Sequence, residues 1–325
     1  MVYIRHGIFV VAIVSLLNSN EKFIKFFYYC IFFCFTVLIF DGFYQYFNGI
    51  NILGWEMSSI NSSRVSSFFG DELILGSYLT RLWPIFFGLT IFIFKQKNKF
   101  FYLFIIIFIL SEVLIFLSGD RAAFFYINLS AVFVIILSQK LLKLRLFTLI
   151  CSILLISIIS FINPTAKERV FDKTIKDMNL LSVENEEKVY IFTKTHHEIY
   201  TASYKMFMDN KIFGVGVKNF RKMCKDPDYY VDEREICFTH PHNTYIQLLS
   251  ETGILGFLFL LVVIYYFCTT IFKHIILKFK GKYYFNDFEI CVLSAVVIYL
   301  WPFIPTGNFF TNWLSIAMFL NLPFL

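Results

Sequence analysis

Two histidines and an asparagine stand at the end of the longest polar segment of the chain, immediately before an apolar stretch. These residues are His240, His242 and Asn243, with Pro241 between the histidines. A neutral imidazole can take the proton of a hydroxyl group, the usual task of a general base. Proline is favoured in the first turn of a helix, so we expect His242 and Asn243 in the first turn of an apolar helix, where the dipole disfavours imidazolium. The alternative is a histidine that only hydrogen-bonds a neighbouring loop.

Arginines are the second set of side chains that could act on a substrate. Arg121 follows Asp120 at the start of an apolar segment, and Arg64 lies in a shorter polar segment. Arg221 and Arg234 belong to the same polar segment as the histidines. A guanidinium group binds phosphate in bidentate geometry, so arginines on one side of a membrane would suit a lipid-linked pyrophosphate. Snorkelling, or an ion pair between Arg121 and Asp120, is the structural alternative.

A zinc site is the competing chemistry for the histidine pair. No cysteine or third histidine is near His240 and His242 in sequence, and His196 and His197 could join them only through the fold. Zinc sites need three or four such ligands. We therefore expect no metal site and no cofactor.

The composition indicates which elements must position these residues. Of 325 residues, 58% are hydrophobic, 16% are charged and 44 are Phe. Soluble domains are about a quarter charged, so this chain is predicted to be an integral membrane protein. Its apolar runs do not alternate in polarity and approach the roughly 20 residues of a membrane-crossing helix, which favours helices over a β-barrel.

The predicted fold is an all-α, polytopic helical membrane bundle of about nine transmembrane helices with a large, mainly helical periplasmic loop. Residues 1–162 form an N-terminal bundle of about six spans, 163–244 the periplasmic loop, and 245–325 about three C-terminal spans. The predicted spans are 3–18, 23–41, 72–94, 100–118, 121–139, 145–162, 245–267, 287–304 and 308–324. Within the loop, aromatic spacing predicts a helix over about 184–209.

Orientation follows from the lysines and arginines of the short loops, which concentrate on the cytoplasmic side. One set of alternate loops holds Lys22, Lys25, Lys95, Lys97, Lys99, Lys140, Lys143, Arg145, Lys273, Lys278, Lys280 and Lys282. That set places the 42–71 loop and the 163–244 segment on the outer face. An oxidising compartment there would permit a disulfide between Cys224 and Cys237, which the sequence leaves open.

Two charged residues, Arg81 and Glu112, fall inside predicted spans. They lie at similar depth on consecutive antiparallel helices. Because charges inside a membrane are costly, we expect them to form a structural ion pair.

Four blocks of sequence resemble the O-antigen ligase/O-antigen polymerase family. The C-terminal block is His242-Asn243 followed by Gly253, with Glu251 two residues before the glycine. The stretch 209–220 is similar to the family's turn ahead of that signature. Arg64 before Phe68-Phe69 and Arg121 before Ala122-Ala123 match two further family positions, and the blocks keep the family's order between about residues 42 and 267.

This resemblance implies an inverting glycosyltransferase of the bacterial inner membrane that needs no metal or nucleotide. The donor would be a glycan on undecaprenyl pyrophosphate, and the acceptor a sugar hydroxyl of lipid A–core or of another repeat unit. By resemblance, His242 would be the base, and Arg121 and Arg64 would hold the pyrophosphate, with Arg221 as a further candidate. Asn243 and Glu251, with His240 beside them, would orient the helix start.

Three departures from the family pattern stay open, as do the choice of acceptor and two functions of other classes. Asp120 replaces a small polar residue and is expected to weaken phosphate binding, the spans are fewer than is typical, and Gly256 stands where ligases often carry Thr. Ligase, polymerase and protein O-oligosaccharyltransferase share the same chemistry and differ in acceptor. A glycolipid transporter or flippase, and a metalloprotease using the two histidines, are the alternatives of other classes, although the chain lacks internal repeats and a zinc-protease motif.

Overall fold

The chain is seen in a computed structural model that describes residues 4–20, 22–57, 64–94, 100–179, 190 and 193–325. In these residues the regular structure is helical, apart from two isolated bridges, Ile50 with Glu56 and Val231 with Arg234. The prediction of an all-helical fold is therefore confirmed for the part of the chain that is described. The predicted inner-loop lysines Lys95, Lys97 and Lys99 lie outside it.

The α-helices of the described residues follow one another along the chain. They are α1 Ile4–Ser19, α2 Lys22–Asn48, α3 Leu75–Ile93, α4 Phe100–Leu117, α5 Arg121–Leu137, α6 Leu142–Ile162, α7 Thr165–Lys167, α8 Lys173–Asp177, α9 Lys194–Asp209, α10 Phe220–Met223, α11 Thr244–Phe279, α12 Asp287–Tyr299 and α13 Asn312–Phe319. A π-helical turn covers Glu168–Asp172, and short 3-10 helices cover Ser67–Glu72, Pro227–Tyr229 and Leu322–Phe324. Helix α9 corresponds to the predicted helix over about 184–209, whose residues 184–189, 191 and 192 lie outside the described part.

Four of these helices, α2, α3, α6 and α11, are long and apolar enough to cross a membrane. Three shorter apolar helices cover Ile4–Ser19, Tyr102–Leu117 and Arg121–Leu137. At 1.5 Å per residue, α12 and α13 rise only about 20 and 12 Å, less than the roughly 30 Å hydrocarbon core. The described helices thus support a membrane protein with four candidate spans, while the count of nine stays a prediction.

The chain divides into two compact units. Unit 1 contains Met1–Lys173, Gly281–Tyr299 and Ala317–Leu325, and unit 2 contains Thr174–Lys280 and Leu300–Ile316. The arginines Arg64 and Arg121 belong to unit 1, and the histidine motif belongs to unit 2. Each unit is described by itself below.

The core of unit 1 is built around α3, which is buried along most of its length. Aromatic side chains fill the space between α3 and α4, with the ring of Phe87 4.7 Å from Trp83 and 4.9 Å from Phe108. Helix α12 packs on α3 and α5, where the hydroxyls of Ser130 and Ser294 lie 2.9 Å apart. Neighbouring helices of unit 1 therefore enclose α12, most of whose residues are buried.

The expected ion pair between Arg81 and Glu112 is wrong. Glu112 binds Arg145 of α6 and accepts a 2.6 Å hydrogen bond from the Ser152 hydroxyl. Arg81 instead donates to the Ser77 hydroxyl and lies over the ring of Tyr299, 5.1 Å from its centroid. Equal depth in the membrane does not determine which face of a helix a side chain occupies. The prediction that Arg145 lies in an inner loop is also wrong, because Arg145 is fully buried in the first turn of α6.

Removing one partner of the Arg145–Glu112 pair is expected to lower the free energy of unfolding by about 3–5 kcal/mol, because the other charge stays buried without its counter-charge. The Arg145→Met and Glu112→Leu single variants should show this loss in denaturant unfolding in detergent micelles. The double variant should recover much of it. Lys143→Met, which removes an exposed cation two residues away, is the matched control. A double variant as unstable as the sum of the single variants would show that the two side chains act independently.

Candidate functional site

The sequence predicts that His242 and Asn243 lie in the first turn of an apolar helix. In the structure both residues precede that helix. Helix α11 begins at Thr244, and Asn243 is its N-cap: the Asn243 side-chain oxygen accepts from the backbone N–H groups of Tyr245 and Ile246 at 3.0 and 3.2 Å. The Asn243 amide also donates to the carbonyl of Pro302 at 2.9 Å. Asparagine is among the preferred N-cap residues, because its oxygen satisfies N–H groups that have no partner in the helix. Asn243 therefore holds the helix start.

His242 precedes the cap with its backbone in the left-handed region, at φ 56°. Its carbonyl accepts a 2.8 Å hydrogen bond from the backbone N–H of Thr306. Non-glycine residues rarely adopt this conformation, and such residues are concentrated at functional sites. The Asn243 cap and the Thr306 bond together hold the backbone of His242 on both sides.

His240 is buried, and both nitrogens of its ring have partners within the protein. Nε2 lies 3.3 Å from the Thr306 carbonyl, and Nδ1 lies 2.9 Å from the Thr239 hydroxyl. A carbonyl can only accept, so Nε2 carries the hydrogen and Nδ1 accepts from Thr239. Burial, and next the neighbouring His242, lower the pKa of His240 to about 4, against a raising effect of the Thr306 bond. At neutral pH His240 is therefore an uncharged, hydrogen-bonded neighbour of His242.

The ring of His242 is packed between other rings and makes no hydrogen bond with any residue that the structure describes. Its centroid lies 4.1 Å from that of His240, 5.7 Å from that of His196 and 5.9 Å from that of Phe238. Burial lowers the pKa of His242 below its usual value. The ring is consequently neutral at pH 7, with the capacity to accept a proton.

His196 comes to the motif from α9, through the fold. Thr193 caps that helix: its hydroxyl accepts from the His196 backbone N–H at 3.2 Å and lies 2.8 Å from Nδ1 of the His196 ring. The three histidines gather as packed rings, and in the described part of the chain no group of three or more His, Cys, Asp or Glu side chains has the arrangement of a metal site. From the sequence, His196 is considered only as a zinc ligand that the fold would have to bring to the motif. The structure places its ring beside that of His242.

A glycine-rich turn between α9 and α10 supports the motif by docking on a break in α11. Helix α11 loses helical geometry at Gly253, where φ is 64° and ψ is −164°. There the N–H of Val215 donates to the Ser250 carbonyl at 2.8 Å, and the N–H of Ile254 donates to the Lys211 carbonyl at 2.8 Å. Hydrogen bonds that would continue the helix are thereby exchanged for bonds to the turn.

The two backbones approach so closely that side chains would not fit between them. A Cβ at Gly253 would lie 2.3 Å from the Ile212 carbonyl oxygen, and one at Gly214 would lie 2.4 Å from the backbone of Glu251. Both glycines also have positive φ, which glycine adopts at little cost. The spacing between His242 and Gly253 thus reflects the length of helix from the cap to this break.

Glu251 connects the turn to the helix start through a buried polar network. One carboxylate oxygen accepts from the Phe220 backbone N–H at 3.1 Å, and the other accepts from the Gln247 amide at 3.0 Å. The Gln247 amide also donates to the Asn308 side chain at 2.8 Å, and its oxygen accepts from the N–H of Phe309 at 2.9 Å. Gln247 and Asn308 were missed by sequence reasoning, and the one available signal was two amides inside or beside apolar segments.

The segment that leads into the motif is held by a disulfide between Cys224 and Cys237, the pairing that the sequence leaves open. An ion pair of 2.6 Å between Arg234 and Glu198 fixes the same loop to α9. Within unit 2, the guanidinium group of Arg234 is thus paired with the Glu198 carboxylate. These links connect the chain just before His240 to the helix that carries His196.

In unit 1 the second candidate site is the turn between α4 and α5. Asp120 is the N-cap of α5 and accepts from the Ala123 N–H at 3.1 Å. Nε of Arg64 donates to the Ser118 carbonyl at 2.7 Å, and Nε of Arg169 donates to the Gly119 carbonyl at 2.9 Å. The turn thus holds two guanidinium groups next to the start of α5, where Arg121 is the first residue.

The charges at this turn act on one another. Burial lowers the pKa of Arg64, while the charge of Asp120 opposes that change and the charge of Arg121 adds to it. Arg64 and Arg169 lie side by side at Gly119, where a Cβ would be 2.8 Å from Cδ of Arg169 and 3.3 Å from Cγ of Arg64. Arg169 was missed because nothing in sequence distinguishes it from the other basic residues of the 163–244 segment.

Arg221, the further candidate for phosphate binding, lies in unit 2 on α10. Its side chain is exposed, and its Nε lies 3.4 Å from the Lys218 carbonyl. Within that unit it belongs to a basic surface beside the glycine-rich turn.

Comparison with known proteins gives one family. Residues 103–261 match the family model described as O-antigen ligase. The matched range begins within α4 and ends within α11, so it contains Arg121, Arg169, His242 and the Gly253 break. No curated protein matches the chain.

Proposed function

We propose that the protein transfers a glycan from undecaprenyl pyrophosphate to a sugar hydroxyl on the periplasmic face of the bacterial inner membrane, because residues 103–261 match the O-antigen ligase family model. The family supports a glycosyltransferase-type role in the assembly of O-antigen and lipopolysaccharide. We take lipid A–core as the acceptor. The observation that carries the proposal is the placement of His242, whose backbone is held on both sides and whose ring has no hydrogen-bond partner in the described chain.

In the proposed reaction, His242 takes the proton of the acceptor hydroxyl while the hydroxyl oxygen attacks the anomeric carbon of the donor. A new carbon–oxygen bond forms as the bond to the pyrophosphate oxygen breaks. Undecaprenyl pyrophosphate leaves with the electron pair of that bond, and the configuration at the anomeric carbon inverts. A base that is neutral at working pH favours this step.

The departing pyrophosphate gains negative charge in the transition state, and fixed cations stabilise such charge. We assign this task to Arg121, with Arg64 and Arg169 as its neighbours at the Ser118–Arg121 turn. Asp120 caps α5, so its carboxylate is engaged with the helix, although its charge still opposes anion binding. Arg221 is retained as a contributor from its own unit.

Acid should reduce the rate of transfer only at a pH below 6.5, the ordinary pKa of a histidine side chain. Burial lowers the pKa of His242 from 6.5, so the base form already predominates at pH 6.5, and the acid limb of kcat/KM should have its midpoint below that pH. A midpoint above 6.5 would contradict the assignment.

Stability also depends on pH, through His240. Its pKa is about 4 in the folded chain, so the unfolded chain binds more protons between pH 6.5 and 4, and the free energy of unfolding falls as the pH falls through that window. Re-assay at pH 7 after each acid exposure separates the two effects.

Ligase and polymerase activities are distinguished by the acceptor. Proteoliposomes holding the native chain would be given one labelled undecaprenyl-pyrophosphate donor together with lipid A–core, with EDTA present. Label on lipid A–core is the expected result and would support a metal-independent ligase. Label on longer undecaprenyl-linked chains would identify a polymerase, the second candidate. Unchanged donor that has moved across the bilayer would favour the transporter and overturn the proposal.

A further inference from the structure

Helix α11 has two parts with different surfaces. Between its start and Gly253, its buried face is polar and includes Gln247 and Glu251, and α9 packs along it. Beyond Gly253 its apolar side chains are exposed, as at Leu255 and at Phe259, which is 74% exposed. From Ile254 to Phe279 the helix rises about 38 Å, more than the roughly 30 Å of a hydrocarbon core. The part of α11 beyond the Gly253 break is therefore long enough by itself to cross a membrane.

Helix α9 runs antiparallel to the first part of α11. Its beginning carries His196, whose ring lies 5.7 Å from that of His242, just before α11 starts. Its end leads to Lys211, whose carbonyl accepts from the N–H of Ile254. The turn that follows α9 consequently lies level with the point where the exposed apolar surface of α11 begins.

That turn carries apolar side chains that lie on the surface of the protein. Phe213 is 73% exposed, Ile212 58% and Val217 52%, and we call these three residues the apolar tip. Exposed basic side chains flank it along the chain. We call Lys211, Lys218, Arg221 and Lys222 the basic collar. The tip is fixed in position, because the backbone bonds at Gly253 join it to α11.

We propose that the apolar tip enters the boundary between headgroups and acyl chains in the leaflet on the His242 side, while the basic collar binds anionic lipid headgroups. The surface of the tip is continuous with the lipid-facing surface of α11, so a bilayer that covers Leu255 also meets Ile212. Amphipathic elements bind membranes through buried apolar area together with attraction of Lys and Arg to anionic lipids. If the tip stayed in water, its three apolar side chains would remain exposed to solvent.

The anchor has a consequence for depth. From Thr244 to Gly253 the helix rises about 14 Å. A tip held at the headgroup boundary would hold His242 about that distance along α11 from the hydrocarbon. The proposal concerns membrane contact alone and stands or falls independently of the catalytic assignment.

Added tryptophans would measure the depth of the tip. Phe213→Trp, Phe259→Trp and Lys194→Trp variants would be reconstituted in vesicles of phosphatidylcholine and phosphatidylglycerol, with or without bromine on the acyl chains. Subtracting the emission of the native chain from that of each variant gives the emission of the added tryptophan. Bromolipid should quench Phe213→Trp by more than half, as it does Phe259→Trp in the membrane-crossing part, and should leave Lys194→Trp, at the far end of α9, unchanged. A Phe213→Trp emission that behaves like Lys194→Trp would overturn the proposal.

The collar has its own test in the same assay. Omitting phosphatidylglycerol should reduce the quenching of Phe213→Trp, and adding Lys211→Gln and Lys222→Gln should give the same reduction in anionic vesicles. Quenching that depends neither on phosphatidylglycerol nor on these lysines would remove the anionic-headgroup part of the proposal. Circular dichroism of each variant, unchanged from that of the native chain, excludes unfolding as the cause.

Discussion

Replacing His242 with asparagine should lower the rate of glycan transfer by about two to four orders of magnitude, the usual contribution of a general base. Asparagine tolerates the positive φ of this position and can still form hydrogen bonds, but it cannot take a proton at neutral pH. The backbone bond from Thr306 to the His242 carbonyl does not involve the side chain, so the helix start should be retained. Initial rates in proteoliposomes with saturating donor and acceptor measure the loss.

His240→Asn is the matched control for that variant. Both nitrogens of the His240 ring are engaged with Thr239 and Thr306, so this change should lower stability more than the transfer rate per folded molecule. A His242→Asn rate within tenfold of the native rate would show that His242 is not the base. Equal losses in the two variants, at equal folded fractions, would assign the histidines a shared structural role.

Replacing Arg121 with alanine should lower kcat/KM by about two to three orders of magnitude, which is the usual cost of removing one group that stabilises transition-state charge. Arg121→Lys should recover only part of the activity, because an ammonium group keeps the charge and loses the bidentate geometry. If the arginine acts on the departing pyrophosphate, kcat falls together with kcat/KM. Steady-state kinetics with varied donor concentration separates this from a loss of binding alone.

Arg169→Ala should give a smaller loss in the same direction, because its Nε bond to the Gly119 carbonyl also supports the turn. Lys167→Ala is the matched control, since it removes an exposed cation two residues away. Unchanged kcat/KM in Arg121→Ala, or an equal loss in Lys167→Ala, would contradict phosphate binding at this turn.

The sequence predicts the parts of the fold and site that depend on local chemistry. Apolar runs of the right length mark α2, α3, α6 and α11, and the resemblance to the O-antigen ligase family is confirmed over residues 103–261. The spacing of His242, Glu251 and Gly253 was visible because it follows from one helix, with a cap at one end and a break nearby. The roles assigned to these residues stay predictions.

Contacts between distant segments could not be predicted in this way. The sequence predicts Arg81 as the partner of Glu112 and places Arg145 in an inner loop, and only helix packing brings Arg145 to Glu112. Arg169 and His196 reach their positions through the turn after α4 and through α9. The sequence starts α11 too early, at His242 and Asn243, and the reason is local. Asn243 is the N-cap, and its side chain accepts from the first free N–H groups of the helix.

The configuration of the newly formed glycosidic bond tests the central claim most directly. The native chain would transfer a donor of known anomeric configuration, and the linkage of the isolated product would be determined from its anomeric proton coupling by NMR. A single displacement by a hydroxyl that His242 deprotonates predicts the opposite configuration in the product. A retained configuration would require two displacements through an intermediate and would contradict the account.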